Sequence, residues 1–143
     1  MRVIFTIPGP PKGKARPRIV RNHGKVHSYT PNATVAYEEL VRIRYLQAEG
    51  GTIKLQGPIE IIITAGFPIP KSASIRKRRQ MLRGEILPTK KPDCDNIEKI
   101  VCDALNGLAY RDDAQITEAH VRKVYVDGPG ETTVTLTEIK EAE

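Results

Sequence analysis

The stretch from Ile97 to Leu108 constrains the fold more than any other part of the chain. Apolar side chains recur there at intervals of three and four residues, the period of a helix with one buried face. They are Ile97, Ile100, Val101, Ala104, Leu105 and Leu108. We expect Asp95 to cap this helix with Glu98 as its capping-box partner, and Asn106-Gly107 to end it. Such a helix needs a second layer, and a β-sheet is the expected one.

Short β-branched segments on both sides of this helix predict that sheet. RVIFTI at 2–7 is a short strand, and GPIEIIITAGFPIP at 57–70 is typical of a buried strand bounded by prolines. The segment 115–139 contains two strands around the turn DGPG, which we expect to pair with each other as a hairpin.

Two further segments have the features of helices. NATVAYEELVRIRYLQAEG at 32–50 opens with Asn32 as a possible cap and ends at a glycine pair. Its expected apolar face consists of Val35, Leu40, Ile43 and Leu46. SASIRKRRQMLRG at 72–84 is a weaker helix, capped by Ser72 or Ser74. With 143 residues, the chain predicts a single α+β domain over 1–143, with a mixed sheet of about four strands and two or three helices.

Basic residues fall in two separated clusters of a chain whose net charge is +6. No acidic residue precedes Glu38, and clustered Pro and Gly at 8–18 exclude a helix, so we expect a basic arm or loop over about 8–31. Two basic clusters favour a polyanion such as DNA. The candidate DNA contacts are Lys12, Lys14, Arg16, Arg18, Arg21, Lys25, Arg76 and Lys77. Tyr29 is available for base stacking.

Aspartates, in contrast, concentrate between Lys91 and Ile116, which hold five of the six in the chain. If the residues entering the helix are extended, Asp93 and Asp95 project to one side and Cys94 turns inward. One member of the pair Asp112-Asp113 joins them only if LAYR at 108–111 returns along the helix as a strand. Converging carboxylates repel one another unless a divalent cation lies between them. Oxygen ligands favour Mg²⁺, with Mn²⁺ as a possible substitute.

Asp95 and Lys99 each have a structural alternative. In the structural alternative for Asp95, its carboxylate caps the helix and binds no metal. Lys99 can stabilise charge on a transferring phosphate, or it can pair with Asp95 and Asp103 on a solvated helix face. The spacing alone leaves both alternatives open.

Three blocks occur in order at family-like spacing: KPDCDNIEK at 91–99, DALNG at 103–107 and DDAQI at 112–116, with KARPR and YTP upstream. They resemble the RusA family of Holliday junction resolvases, which are Mg²⁺-dependent endodeoxyribonucleases common in prophages. The resemblance implies that Asp93, Asp95 and Asp113 are metal-binding catalytic acids, that Lys99 is a catalytic lysine, and that Asp112 lies at or beside the site. It also implies a homodimer that resolves four-way junctions by paired nicks during DNA recombination and repair.

Two other functions remain possible at this point. Another metal-dependent nuclease of the PD-(D/E)xK type would need an acid two residues before Lys99, where this chain has Ile97. A non-catalytic DNA-binding protein would use the aspartates as caps. The short apolar runs and the absence of a signal-peptide core predict a cytoplasmic protein with no membrane segment, and Cys94 and Cys102 are expected to be reduced.

Overall fold

The four strands of the sheet and the three helices expected from the sequence are present in the computed structural model, which describes residues 1–16, 18–29 and 31–142. The strands are β1 (Arg2–Pro8), β2 (Arg18–Asn22), β3 (Lys25–Tyr29), β4 (Ile59–Pro68), β5 (Ile116–Val126) and β6 (Glu131–Glu138). The helices are α1 (Asn32–Gln47), α2 (Ile75–Leu82) and α3 (Cys94–Leu105), with a 3₁₀ turn at Asp113–Gln115. This confirms the α+β fold with three helices and a mixed sheet of four strands.

The sheet has the strand order β1-β6-β4-β5. β6 is antiparallel to both β1 and β4, whereas β5 runs parallel to β4. The expected hairpin between β5 and β6 is therefore wrong, because β4 lies between them. β4 buries Ile59, Ile61 and Ile63 completely, which suits an interior position with a neighbour on each side. β5 carries mostly exposed polar side chains over its first half, which an edge strand tolerates.

Two glycines allow the connection from β5 to β6 to run past the end of β4. A Cβ atom on Gly66 would lie 2.7 Å from the carbonyl oxygen of Glu131 and 2.7 Å from Val126 Cγ1. Gly130 has a φ of +92°, and a Cβ there would lie 2.9 Å from the Gly66 carbonyl oxygen. Neither position has room for a side chain, because the obstructing atoms include backbone.

Helices α1 and α3 pack against each other and cover one face of the sheet. In α1 the buried residues are Thr34, Tyr37, Val41 and Tyr45. The expected apolar face of this helix is therefore wrong for Val35, Ile43 and Leu46, which are exposed, whereas Leu40 packs partly buried against the core. The tyrosine rings bury more surface than the aliphatic side chains, and Tyr45 packs edge-on against Phe5 with centroids 5.6 Å apart. Pro31, and not Asn32, occupies the N-cap position.

Helix α3 starts two residues earlier than expected. The helix begins at Cys94, so Asp93 is the N-cap and Asp95 lies in the first turn; neither the Asp95 cap nor the extended entry is present. The helix ends at Leu105, followed by Asn106 as the C-cap. Its expected apolar residues up to Leu105 are buried, and Leu108 packs partly buried against the core. In α2 the expected Ser74 cap is present, with Oγ accepting a hydrogen bond from the Lys77 amide.

The expected arm contains an additional hairpin. Residues 9–16 have no regular structure, but β2 and β3 pair with each other in a two-stranded ribbon that does not join the main sheet. The turn residues His23 and Gly24 have φ angles of 50° and 75°, as a two-residue type I′ hairpin turn requires. The side chains of Arg18 and Tyr29 lie outside the described part of the chain. Among the described residues, no helix has the length and apolar character needed to cross a bilayer.

Gly66→Ala should destabilise the fold by about 2 kcal/mol or more, because the new methyl group meets a backbone carbonyl that cannot move aside without disturbing the sheet. Thr64→Ala, two residues earlier on the same strand at a partly exposed position, is the matched control and should cost less than about 1 kcal/mol. Urea denaturation of both variants measures the difference. Equal stability of the two variants would contradict the close crossing at Gly66.

Candidate active site

An open cavity of about 290 Å³ lies between α3 and the beginning of β5. Its lining residues are Asp95, Glu98, Lys99, Cys102, Asp103, Asp113, Ile116, Thr117, Glu118 and Ala119. Five of these carry carboxylates and one carries an ammonium group. The cavity is therefore the acidic centre of a chain that is basic overall.

The helical period of α3 brings one set of polar side chains to this cavity. Its opposite face is fixed because Ile97, Ile100 and Val101 are almost completely buried in the core. The side chains of α3 that line the cavity then recur at intervals of three or four residues. They include Asp95, Lys99, Cys102 and Asp103. The burial of the apolar face thus decides which side chains line the cavity.

A tight turn after α3 brings the chain to Asp113. The Gly107 amide donates to the Tyr110 carbonyl at 3.0 Å, and the Tyr110 hydroxyl donates to the Cys102 carbonyl at 2.7 Å. The Leu55 amide donates to the Ala109 carbonyl at 2.8 Å. The expected strand at LAYR is therefore wrong: this segment is a turn, closed by an isolated bridge between Asn106 and Tyr110.

Two amide side chains hold the loop that carries the aspartate pair. Gln115 Oε1 accepts hydrogen bonds from the amides of Arg111 at 2.9 Å and Asp112 at 3.2 Å. Its Nε2 donates to the carbonyls of Leu55 at 3.3 Å and Gly57 at 3.0 Å. Both ends of the Gln115 amide are thus engaged with backbone groups.

Asn106 completes this support, since its Oδ1 accepts a hydrogen bond from the Asp113 amide at 3.1 Å. Asn106 was expected only to end the helix, and Gln115 had no expected role. Their position on either side of the aspartate pair was the available signal, because amide side chains often bind backbone groups in turns.

The structure brings together some of the candidate acids and separates others. Asp95 and Asp113 line the same cavity. Asp93 instead lines a neighbouring hollow at the start of α3, together with Lys12, Lys14 and Lys91. Asp112 is exposed.

Cys94, which we expected to point inward, is exposed, with Sγ 3.9 Å from the Val121 carbonyl oxygen. It lies in the first turn of α3, on the side facing β5. The difference follows from the earlier helix start, because a helical Cys94 does not alternate with its neighbours as a residue in an extended chain does.

Lys99 takes part in a shared ion pair at the edge of the cavity. Its Nζ lies 3.5 Å from Asp103 Oδ2, and Lys14 Nζ lies 3.4 Å from the same oxygen. Lys14 also contacts Glu38 Oε1 at 3.1 Å. The Lys99 side chain is 62% exposed and can still reach a phosphate, whereas Lys14 is 21% exposed and is held by two carboxylates.

A second group of potential metal ligands lies where β4 and β5 pair, and it shares Glu118 with the cavity. Glu60, Glu118 and His120 offer ligand atoms within 4.8 Å of one another. Within residues 1–16, 18–29 and 31–142, this is the group of three or more acidic, histidine or cysteine side chains that meets this distance; the candidate aspartates do not. The sequence signal was the alternation of Glu118 and His120 on one face of a strand.

The oxygen donors of the cavity fit Mg²⁺ nevertheless. Mg²⁺ usually keeps several waters and is held by one or two carboxylates together with substrate phosphates. Asp95 and Asp113 provide two carboxylates on one open cavity. Of the aspartates expected from the sequence as ligands, these two line the cavity, and Glu98, Asp103 and Glu118 add further carboxylates there.

One residue that lines the cavity, Cys102, carries a thiol. Burial raises the pKa of the Cys102 thiol to about 12, and the nearby Glu98 carboxylate acts in the same direction. Burial also raises the pKa of Tyr110 above its ordinary value. Both groups therefore stay protonated in the folded protein at neutral pH, and Cys102 is not a nucleophile there.

Comparison with known proteins identifies the family of the chain. The chain matches the family described as endodeoxyribonuclease RusA over residues 8–137, a range that includes α3, the Asp113 loop and the whole cavity. It therefore belongs to the RusA family of endodeoxyribonucleases, as the sequence blocks indicated. A protein of Bacillus subtilis (strain 168), described as uncharacterized protein YqaN, is 37% identical over 129 residues, which cover 89% of this chain and 90% of that protein.

The stability of the fold should fall as the pH rises above about 9, the region where an unfolded Cys102 loses its proton. Between the ordinary pKa of 9.0 and the folded value of about 12, the folded chain holds a proton that the unfolded chain has lost. The slope should reach about 1.4 kcal/mol per pH unit for this group.

Cys102→Ala should therefore flatten the decline between pH 9 and 11, measured by urea denaturation at several pH values. Cys94→Ala, which removes the exposed thiol, is the control and should leave the decline unchanged. An equally steep decline in the Cys102 variant would show that another group is responsible.

Proposed function

We propose that this protein is a Mg²⁺-dependent nuclease that resolves four-way DNA junctions by paired phosphodiester hydrolysis in recombination and repair. The observation that supports it most directly is the shared cavity of Asp95 and Asp113 beside Lys99, within the part of the chain that matches the RusA family. A bound Mg²⁺ would lower the pKa of an attacking water and neutralise charge on the scissile phosphate.

The residues of the cavity have distinct roles in this proposal. Asp95 and Asp113 hold the ion, and Lys99 donates a hydrogen bond to the phosphate as its negative charge grows. Asp93, at the N-cap of α3 in the neighbouring hollow, stays a candidate metal ligand on the family resemblance, and Asp112 lies beside the site without lining it. Asn106 and Gln115 keep the Asp113 loop in place through its backbone.

The basic residues lie on two segments that adjoin the elements of the cavity. Helix α2, which carries Arg76 and Lys77, packs beside β5, and β5 forms one wall of the cavity. Lys12 lies in the hollow at the start of α3. The remaining arm candidates with described side chains are Arg16, Arg21 and Lys25. We propose that these cations contact phosphates on either side of the cut strand.

Lys14 has a different role from the other arm cations. Its ammonium is held by Glu38 and Asp103, so a DNA phosphate would have to compete with two carboxylates. We therefore propose that Lys14 anchors the arm to α1 and α3. The Arg18 side chain stays a DNA-binding candidate on sequence grounds alone.

A homodimer is part of the proposal for a geometric reason. A four-way junction presents two symmetry-related strands, and each chain contributes one acidic cavity. A two-fold dimer would place two identical cavities on these two strands. Each cavity could then cut its own strand, and the protein would not need to move on the DNA between the two cuts.

Purified protein should cleave a synthetic four-way junction in the presence of Mg²⁺ and leave it intact in EDTA. Asp95→Asn and Asp113→Asn should each abolish cleavage while junction binding is kept or strengthened, because each loses a metal ligand and a negative charge facing phosphate. Asp127→Asn makes the same charge change in the turn before β6 and is the control, since its Oδ1 can still accept from the Gly128 amide.

Linear duplex and flap substrates of the same sequence complete this experiment. Equal cutting of all three DNAs would indicate a different metal-dependent nuclease. Binding of the junction without cleavage, with or without Mg²⁺, would indicate a non-catalytic DNA-binding protein. Full activity of the Asp113 variant would rule out its place in the active site.

Lys99→Met should lower the single-turnover cleavage rate by about a hundredfold or more, with only a modest loss of junction affinity, if Lys99 stabilises the transferring phosphate. Asp103→Asn is the comparison, since it breaks the same ion pair and keeps the lysine; it also removes one of the two carboxylates that hold Lys14, which keeps its contact with Glu38. It should retain cleavage, and both variants should change stability by less than about 1 kcal/mol. Equal rates for Lys99→Met and the parent would leave the salt bridge as the whole role of Lys99.

A further inference from the structure

The ribbon formed by β2, β3 and their turn has no partner in the described fold. Its strands pair with each other and not with the main sheet, and all of its described side chains from 19 to 28 are exposed. An isolated two-stranded hairpin is marginally stable in water. A ribbon of this kind gains most from a binding partner that orders it.

The charge of the ribbon identifies the chemistry of that partner. Arg21 and Lys25 lie on it, and the chain contains no acidic residue before Glu38. A polyanion therefore meets no repulsion along the ribbon. A second copy of this chain, with its net charge of +6, complements the ribbon less well than DNA does.

Apolar side chains on one face of the ribbon indicate which part of the DNA it contacts. Ile19 pairs with Ser28 and Arg21 pairs with Val26, so Ile19 and Val26 are diagonal neighbours on the same face. They are 74% and 58% exposed, respectively. Phosphate groups make no favourable contact with apolar side chains. Apolar residues of DNA-binding proteins instead insert between base steps and unstack them.

The cost of insertion depends on the DNA structure. In a continuous duplex, opening a base step takes a few kcal/mol, and the cost is least for bases whose stacking is already disturbed. Strands exchange between arms at the centre of a four-way junction, and without divalent cations the repulsion between phosphates keeps the bases at this point from stacking across it. An apolar wedge flanked by cations therefore binds a branch point at lower cost than a linear duplex.

We propose that the ribbon is the branch-recognition element of this protein: Ile19 and Val26 insert at the branch point, Arg21 on the same face contacts the phosphate next to it, and Lys25, on the opposite face beside the turn, contacts a neighbouring phosphate. This rests on the proposed function, since it takes branched DNA as the substrate. The two activities are separate in the structure, because no residue of the ribbon lines the acidic cavity. The cavity cuts, and the ribbon selects where.

The test compares the parent with the double variant Ile19→Ser, Val26→Ser. Val20→Ser is the matched control, since Val20 is on the opposite face of the same ribbon and is 43% exposed. Affinity is measured in EDTA for a four-way junction and for a linear duplex of the same arm sequence. 2-Aminopurine at the branch point reports unstacking by an increase in fluorescence.

The parent should prefer the junction and increase the 2-aminopurine fluorescence. The double variant should lose about tenfold in junction affinity, equivalent to about 1.4 kcal/mol, keep its duplex affinity within about twofold, and give no fluorescence increase. Val20→Ser should behave as the parent. Light scattering should give the same molecular mass for all three proteins.

Three outcomes would overturn the proposal. An unchanged junction preference in the double variant would remove the wedge role. Equal losses on junction and duplex would reduce the ribbon to a general backbone contact. A lower molecular mass of the double variant would assign the ribbon to contacts between copies of the chain.

The same measurements separate this proposal from the proposed function. A parent protein that binds and unstacks the junction without cutting it in Mg²⁺ would support the ribbon assignment and contradict the nuclease. A parent protein that binds neither DNA would overturn both.

Discussion

The packing of one apolar helix face against the sheet is the constraint on which the candidate site depends. The buried residues of α3 fix its rotation, and the rotation determines that Asp95 and Lys99 face β5. The opposite wall is fixed by β4, whose fully buried isoleucines hold the parallel strand β5 in register. The cavity is thus the gap between two elements that the same core positions, and its polar residues contribute little to holding it open.

The sequence predicted this part of the fold well because α3 and β4 carry strong local patterns. An amphipathic period and a β-branched run each determine one element without knowledge of the others. Strand order is different, since β5 and β6 are close in sequence and yet separated by β4. The strand order depends on which strand has a neighbour on each edge and on the close approach of two backbone segments at Gly66. A local sequence pattern contains neither kind of information. The face of α1 was misjudged because its tyrosines were not counted as core residues.

For the candidate site, the sequence predicted the residue types better than their arrangement. The concentration of aspartates was visible, and the family match covers it. Their separation into a cavity containing Asp95 and Asp113 and a hollow containing Asp93 follows from a helix that starts at Cys94 and from a turn at 106–110. The two ion pairs of Lys14 could not be predicted from the sequence, because the partner carboxylates come from α1 and α3, which become neighbours only in the fold.

The anchor at Lys14 also defines a distance. Its ammonium is held between α1 and α3, and its amide donates to the Asn96 carbonyl at 3.1 Å, so this point of the chain is fixed to the helix that lines the cavity. A Cβ on the preceding Gly13 would lie 2.8 Å from Pro92 Cβ, which shows how closely the two segments approach. The ribbon begins only four residues beyond Lys14. A branch point held on the ribbon would therefore stay within the reach of these four residues, roughly 14 Å, of the fixed point at Lys14, and this reach limits how far from the branch the cut can fall.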